Sequence, residues 1–342
     1  MREVFSIVLV IIGALIGAGF ASGQEIYSFF YSYGAIGLIG IIVTCILISL
    51  TIYKSLKIIK SNQINDYNQF LKVFIKNEKI TKNINKIINI LLLITFYIMI
   101  AGFGAYFEQE IGVSKIIGSA ILAIITGIVF FTDVKGVLKV SEYIVPILII
   151  FIVIAGGMNL ITLENEAEIP IAKSGWLLSS ITYCSYNIIL LIPVLISLRN
   201  QITQKSNIKY IAIICSIIMI TMSIMIYMLL LKVDVDISTL EMPIVYAIRK
   251  NFLYFKNIYA FIILSSIFTT AISIGIGLLQ NISKNKKGYS QFVLFMCITS
   301  LFVSNIGFSK LVNFIYPLFG YLGILQIILI LREKNYCKKT LL

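Results

Sequence analysis

Hydrophobic residues run along this chain in long blocks broken by short polar stretches. Ten blocks stand at about 4–31, 34–53, 87–107, 116–132, 140–162, 174–198, 210–231, 257–281, 289–308 and 311–331. A helix needs about 20 predominantly apolar residues to cross the hydrocarbon core of a bilayer. The pattern therefore predicts an all-α transmembrane protein of ten helices, with no sizeable soluble domain. The first block is too long for the apolar region of a signal peptide, carries Glu25 within it and lacks a well-placed small-residue cleavage site, so it is expected to be retained.

Two polar connections carry helical patterns of their own. Between the second and third blocks, Tyr67, Phe70, Leu71, Phe74 and Ile75 recur at helical spacing with Lys72, Lys76 and Lys79 between them, as expected for a helix lying on the membrane surface or, failing that, a solvated linker. Between the seventh and eighth blocks, Ser238 and Glu241 have capping-box spacing and Pro243 follows at a first-turn position. Leu240, Ile244, Val245 and Ile248 then form an apolar stripe, so this segment is expected to be an outer lid helix.

Composition agrees with membrane residence: 59% of the 342 residues are apolar and only 13% are charged. The net charge of +13 resembles a nucleic-acid signature until its distribution is examined. With both termini in the cytoplasm, the cytoplasmic side holds 21 of the 28 Lys and Arg residues, eight of them between Lys54 and Lys86. That bias follows the positive-inside rule and predicts a bacterial inner-membrane protein with both ends cytoplasmic; neither a nucleic acid nor a protein partner is expected. Glu108, Glu110, Glu164, Glu166, Glu168, Asp234, Asp236 and Glu241 collect on the opposite side. The chain has no histidine, and its five cysteines show no close pairing, which argues against zinc sites and disulfide frameworks.

The first block is the informative one. It runs Ile16, Gly17, Ala18, Gly19, Phe20, Ala21, Ser22, Gly23, Gln24, Glu25, and its three glycines each weaken a helix by roughly 1 kcal/mol relative to alanine. An interruption is expected here, and unwound backbone at this depth is tolerated only where it is buried in protein or lines a cavity. Ser22 and Glu25 have capping-box spacing before the run Ile26 to Tyr33, so a second half-helix is expected to begin there. Its first amides would suit an anion such as a substrate carboxylate, and carbonyls near Ile16 and Gly17 would suit a small cation. The bland alternative is that Gly13 and Gly17 serve only close helix packing. Glu25, the one carboxylate well inside a span, is either a functional group or merely Ser22's capping partner.

A transporter built this way predicts a matching broken helix in a second half. With ten helices divided five and five, that helix is the sixth, where Ser179, Ser180, Thr182, Tyr183, Ser185, Tyr186 and Asn187 crowd into nine positions, with Pro193 following. A polar interhelical seam is the alternative, because hydroxyls also bond back to their own helix. In the eighth block Ser266, Thr269, Thr270 and Ser273 share one helical stripe, suited to a sodium ion or to packing.

The run from Ile16 to Phe30, IGAGFASGQEIYSFF, resembles the first-helix signature of YkvI-type bacterial membrane proteins of the amino acid–polyamine–organocation superfamily. The resemblance implies a five-plus-five inverted repeat like that of the sodium-coupled leucine transporter, with helices 1 and 6 broken and substrate between them. The whole chain would then be one membrane domain, with repeats over 1–162 and 174–331 and a cytoplasmic tail over 332–342. Substrate would meet Gly17, Ala18, Gly19, Phe20, Ala21, Ser22, Gly23, Gln24, Glu25, Thr182, Tyr183, Ser185, Tyr186 and Asn187. Sodium, the one coupling ion or cofactor implied, would meet Ser266, Thr269 and Thr270 with carbonyls near Ala14 and Gly17. Some proton-coupled relatives place a lysine in the fifth helix, and Val140 to Thr162 has none, which favours sodium, with a proton carried by Glu25 as the alternative.

The expected function is thus sodium-coupled, or less expectedly proton-coupled, alternating-access transport of a small solute such as an amino acid or related carboxylate-bearing compound. A germinant-receptor-type subunit that binds ligand on the same fold without moving it is the alternative. An enzyme is not expected: there is no metal-ligand cluster, paired intramembrane carboxylate or phosphate loop.

Overall fold

The computed structural model describes residues 2–131, 135–161, 171–282 and 286–333. The predicted acidic stretch with Glu164, Glu166 and Glu168, the last residue of the fifth predicted span and the tail from 334 onward lie outside the described residues. Among them the regular structure is helical: α1 Arg2–Leu15, α2 Ala18–Ser22, α3 Gln24–Phe29, α4 Ile36–Asn62, α5 Tyr67–Lys72, α6 Glu78–Tyr106, α7 Lys115–Phe131, α8 Lys135–Ile161, α9 Trp176–Ser197, α10 Asn207–Leu230, α11 Pro243–Asn251, α12 Lys256–Ile282, α13 Lys286–Ser304 and α14 Phe308–Arg332. Six helical segments are long and apolar enough to cross a membrane, and shorter apolar helices stand at Glu3–Leu15, Lys115–Phe131, Tyr143–Met158 and Gly288–Ser304. Together they occupy the ten predicted blocks.

Helix ends overrun the apolar blocks where a cap or polar turn lies beyond them. α6 begins at Glu78, nine residues before the block, because the Asn77 side chain accepts the amides of Lys79 and Ile80 at 2.9 and 3.4 Å. Helices at the rim of the bundle show an apolar stripe on their outer face: on α4, Ile39, Ile42, Ile46 and Leu50 are exposed, while Gly37, Gly40, Ile41, Thr44, Cys45 and Ile48 face inward.

At the centre of the bundle lies the first span, with every residue from Ala18 to Ile26 buried. α1 packs on α8, α9 and α10; α4 on α9, α10 and α14; α6 on α7, α12, α13 and α14. α7 also packs on α12 and α13, α8 on α10 and α12, α9 on α14, and α12 on α13. The short pieces dock inside this frame, α2 on α6, α11 and α12, and α3 on α9, α10 and α14.

Three expectations are corrected. The sixth span is unbroken: α9 runs continuously from Trp176 to Ser197 with Pro193 inside it. It contains no glycine, and its polar side chains bond back to carbonyls one turn earlier, Ser180 to Trp176 at 2.8 Å, Thr182 to Leu178 at 3.0 Å, Ser185 to Ile181 at 2.7 Å and Asn187 to Tyr183 at 3.0 Å. Its polarity is absorbed without unwinding. The connection between the second and third blocks forms only the short α5, started by Asp66 accepting the Gln69 amide at 2.8 Å, and buries Phe70 and Leu71 against the protein. The outer helix forms as α11 with Pro243 in its first turn, but Ser238 and Glu241 make no capping box. Asp236 accepts the Ser238 amide at 2.9 Å, and Glu241 reaches away to the Ser309 amide at 2.6 Å.

Candidate functional site

The first span is interrupted twice. α1 ends at Leu15, Gly17 is extended with φ −91° and ψ −171°, and the chain restarts as the five-residue α2. Gly23, at φ +86°, then turns it into α3. That left-handed conformation favours glycine, and a Cβ there would lie 2.5 Å from Ile244 of α11. Gly19 is required by a close approach: a Cβ on it would stand 2.4 Å from Glu25 Oε1.

Glu25 does not complete a capping box. Ser22 donates to the Gly19 carbonyl at 3.0 Å and accepts the Gln24 amide at 3.4 Å, while the Glu25 carboxylate folds across the break. It is 1% exposed and accepts the Tyr183 hydroxyl at 2.9 Å. No Lys or Arg among the described residues forms an ion pair with it.

Aromatic rings close around the carboxylate. Phe29 and Phe30 each lie 5.0 Å from Tyr183, Tyr183 lies 5.5 Å from Tyr186, and Tyr186 stacks on Tyr316 of α14 at 4.5 Å. Tyr316 was missed by sequence reasoning, since a tyrosine within an apolar block has no distinguishing pattern. The same holds for Tyr259 of α12, whose hydroxyl donates to the Ala21 carbonyl.

Of the sixth-span candidates, Tyr183 and Tyr186 reach the break, and Ser179, not singled out as a ligand, donates to the Phe29 carbonyl at 2.8 Å. Thr182 and Ser185 form a packing seam instead: a Cβ on Gly320 would lie 2.4 Å from the Thr182 carbonyl, and one on Gly323 would lie 2.6 Å from that of Ser185. Asn187 is buried against its own helix. In the first span, Ala18 faces Gly102 of α6, and Phe20 and Ala21 are fully buried.

At the expected sodium position the structure brings Gly17 and Thr270 together, a Cβ on Gly17 lying 3.9 Å from the Thr270 methyl carbon. Ser266 and Thr269 are buried on α12, Thr269 donating to the Ser266 carbonyl at 3.2 Å. Ala14 is exposed. Among the described residues no cluster of three His, Cys, Asp or Glu side chains stands ready for a metal ion.

One side of the break is covered by α11 and the segment leading into it. Gln24, 1% exposed, donates to the carbonyls of Leu240 and Glu241 at 2.5 and 3.2 Å. Gln109 exchanges two hydrogen bonds with the Met242 backbone at 2.8 and 3.1 Å, and Arg249 pairs with the buried Glu110 at 3.4 Å. At the exposed end, Tyr246 donates to Asp234 at 3.0 Å and Lys250 pairs with it; these contacts hold the Asp234 carboxyl below the usual carboxylate range. The other end of the bundle has its own tie, where the Glu3 carboxylate accepts the Thr203 amide at 2.9 Å and its hydroxyl at 2.5 Å.

A helical bundle with lipid-facing stripes, an unwound central span and a carboxylate sealed at the break defines a polytopic α-helical membrane protein with a buried polar site. No family model matches the chain. It is 31% identical over 336 residues to the uncharacterized membrane protein YkvI of Bacillus subtilis strain 168, covering 97% of this chain and 96% of that protein, and it belongs to the YkvI family. The uncharacterized protein YyaD of the same organism is 27% identical over 329 residues, 94% of each chain. Among solved structures, a mutant of the Eremococcus coleocola manganese transporter shares the fold with a TM-score of 0.59 at 12% identity, covering 95% of this chain and 77% of that one.

Proposed function

We propose that this protein is a secondary transporter that moves a small solute across the bacterial cell membrane by alternating access, with both termini in the cytoplasm. One observation carries the reading: an unwound mid-span segment holds an unpaired buried carboxylate directly beneath a latched lid helix. Such a segment needs a ligand or ion to complete it, and a lid fastened by a few hydrogen bonds is suited to opening and closing.

The packing supports a five-plus-five repeat over 1–162 and 174–331. Number the spans one to ten along the chain, α1–α3 being the first and α14 the tenth, and exchange each with the span five places away. The contact of α6 with α14 then maps onto that of α12 with α8, α1 with α8 onto α9 with α14, α1 with α10 onto α9 with α4, and α8 with α10 onto α14 with α4. The contacts of α2 and α3 with α6, α12 and α14 stand outside this scheme, as expected if the first span alone is broken.

The fold likeness to a manganese transporter does not extend to its cargo. The break offers one carboxylate, the chain has no histidine, and such a donor set is poor for a divalent transition metal. Amino acids and their amine relatives fit the site better, with sodium as coupling ion near Gly17, Ser266, Thr269 and Thr270.

Reconstitution into proteoliposomes tests the reading. Labelled amino acids and amines should accumulate down an imposed sodium gradient, or failing that a proton gradient. Binding with no flux under either gradient would assign the protein to the receptor alternative.

A further inference from the structure

We propose that the first three turns of α6 form a binding surface for an anionic phospholipid of the leaflet they enter, with Lys79, Lys82 and Lys86 taking its phosphate and the exposed isoleucines below them its acyl chains.

Depth is the first reason. α6 has 29 residues, which at about 1.5 Å each make it longer than a hydrocarbon core of about 30 Å. Its apolar block begins only at residue 87, so residues 78–86 stand at the depth of the lipid headgroups. Lys79, Lys82 and Lys86 recur at three- and four-residue spacing, so they share one face, and all three are exposed. Ile90 follows four residues after Lys86, and both it and the neighbouring Ile87 are exposed, which carries the same face down into the apolar layer. Ile80 is exposed beside the lysines in the first turn. Lysines and bare isoleucines at one height suit the boundary between headgroup and acyl chain, not bulk water, since a lysine stem lies along apolar surface while its ammonium rises to the headgroup.

Charge is the second reason. From Leu71 to Ile90 the chain carries five lysines and one acid, Glu78, which pairs with Lys72 at 3.0 Å. Lys76, Lys79, Lys82 and Lys86 form no ion pair among the described residues. Lys79 stands in the first turn of α6, at the positive end of the helix dipole, where a cation is disfavoured. Asn77 caps the amides of Lys79 and Ile80 there but brings no charge. A phosphodiester would offset this excess, and the bilayer supplies one already joined to the chains that the isoleucines would cover.

Native mass spectrometry of the detergent-solubilised full chain, titrated with dioleoyl phosphatidylglycerol or dioleoyl phosphatidylcholine, tests the proposal. Phosphatidylglycerol should bind at least about tenfold tighter. Lys82→Gln with Lys86→Gln should weaken that binding about 30-fold, or about fivefold per lysine. Lys82→Arg with Lys86→Arg should keep most of it, because the charge remains. Lys205→Gln with Lys209→Gln removes two exposed lysines at the start of α10 and, as the charge-matched control, should leave the affinity unchanged. Millimolar inorganic phosphate or glycerol 3-phosphate should not displace the lipid. Melting of each variant without added lipid should match that of the parent chain, since all four positions are exposed. Equal binding of the two lipids, an unchanged affinity in the Lys82 and Lys86 glutamine variant, or an equal loss in the control pair would each overturn the proposal. Displacement by the soluble phosphates would do so too, and would assign the lysines to a free anion.

Discussion

Gly19 and Glu25 make sense only as a pair. The carboxylate lies where a side chain on residue 19 would be, so one position had to surrender its Cβ for the other to reach Tyr183. Gly19→Leu is therefore expected to expel the carboxylate and abolish flux, and Glu25→Ala to abolish it by deletion, both with normal membrane insertion; normal uptake by both would show that the site lies elsewhere. Gly23 is constrained by conformation as well as space, at φ +86° against Ile244. Gly23→Ala should cost about 1–2 kcal/mol from the left-handed backbone alone. A lower Tm in detergent checks this, and an unchanged Tm would show that the turn relaxes freely. Tyr316 marks the limit of legibility at this scale: nothing local distinguishes it from Tyr321 on the same helix, and only the fold sets one against Tyr186 and the other outside.

Among the elements, α11 packs over the break, against α2, α10 and α12. Gln24 hydrogen-bonds the backbone leading into it, while Glu25 on the next residue bonds Tyr183, so lid position and site occupancy meet on one turn of α3. Gln24→Ala should loosen the lid, raising the thiol-labelling rate of a cysteine placed at the buried Met242 by several-fold; an unchanged rate would show that the Gln109 and Glu241 contacts suffice. On α12 the Thr270 side chain stands over Gly17. Thr270→Ala is expected to raise the sodium concentration needed for half-maximal uptake several-fold, and an unaltered sodium response would remove this residue from the cation site. The contrast between the first and sixth spans is instructive. Both are polar in mid-membrane, yet glycine frees the backbone in one, whereas in the other serine, threonine and asparagine bond back to it and leave the helix whole.

For the whole molecule, the distribution of positive residues is what leads both ends to be expected in the cytoplasm, and several helix contacts have counterparts when the two halves are exchanged. Cysteine placed at Lys72 should react with an impermeant maleimide only from the cytoplasmic side of membrane vesicles, and at Tyr254, 98% exposed, only from the outside. Labelling of both from the same side would overturn the topology. The two ends of the bundle are tied differently, by α11 over the break and by Glu3 to the loop at Thr203. Alternating access would have to release one while keeping the other.

Membrane residence, the positions of the apolar helices, the broken first span and the lid helix could all be derived from residues in order. Each depends on local quantities that a linear string contains: apolar length, glycine density, charge and turn chemistry. Tertiary structure alone decided that α9 stays whole, that Thr182 and Ser185 pack against Gly320 and Gly323, and that Glu25 crosses the break to Tyr183 on a distant helix. Those outcomes depend on which helix faces which. Burial and hydrogen-bond partners arise between segments more than a hundred residues apart, where no spacing along the chain records them.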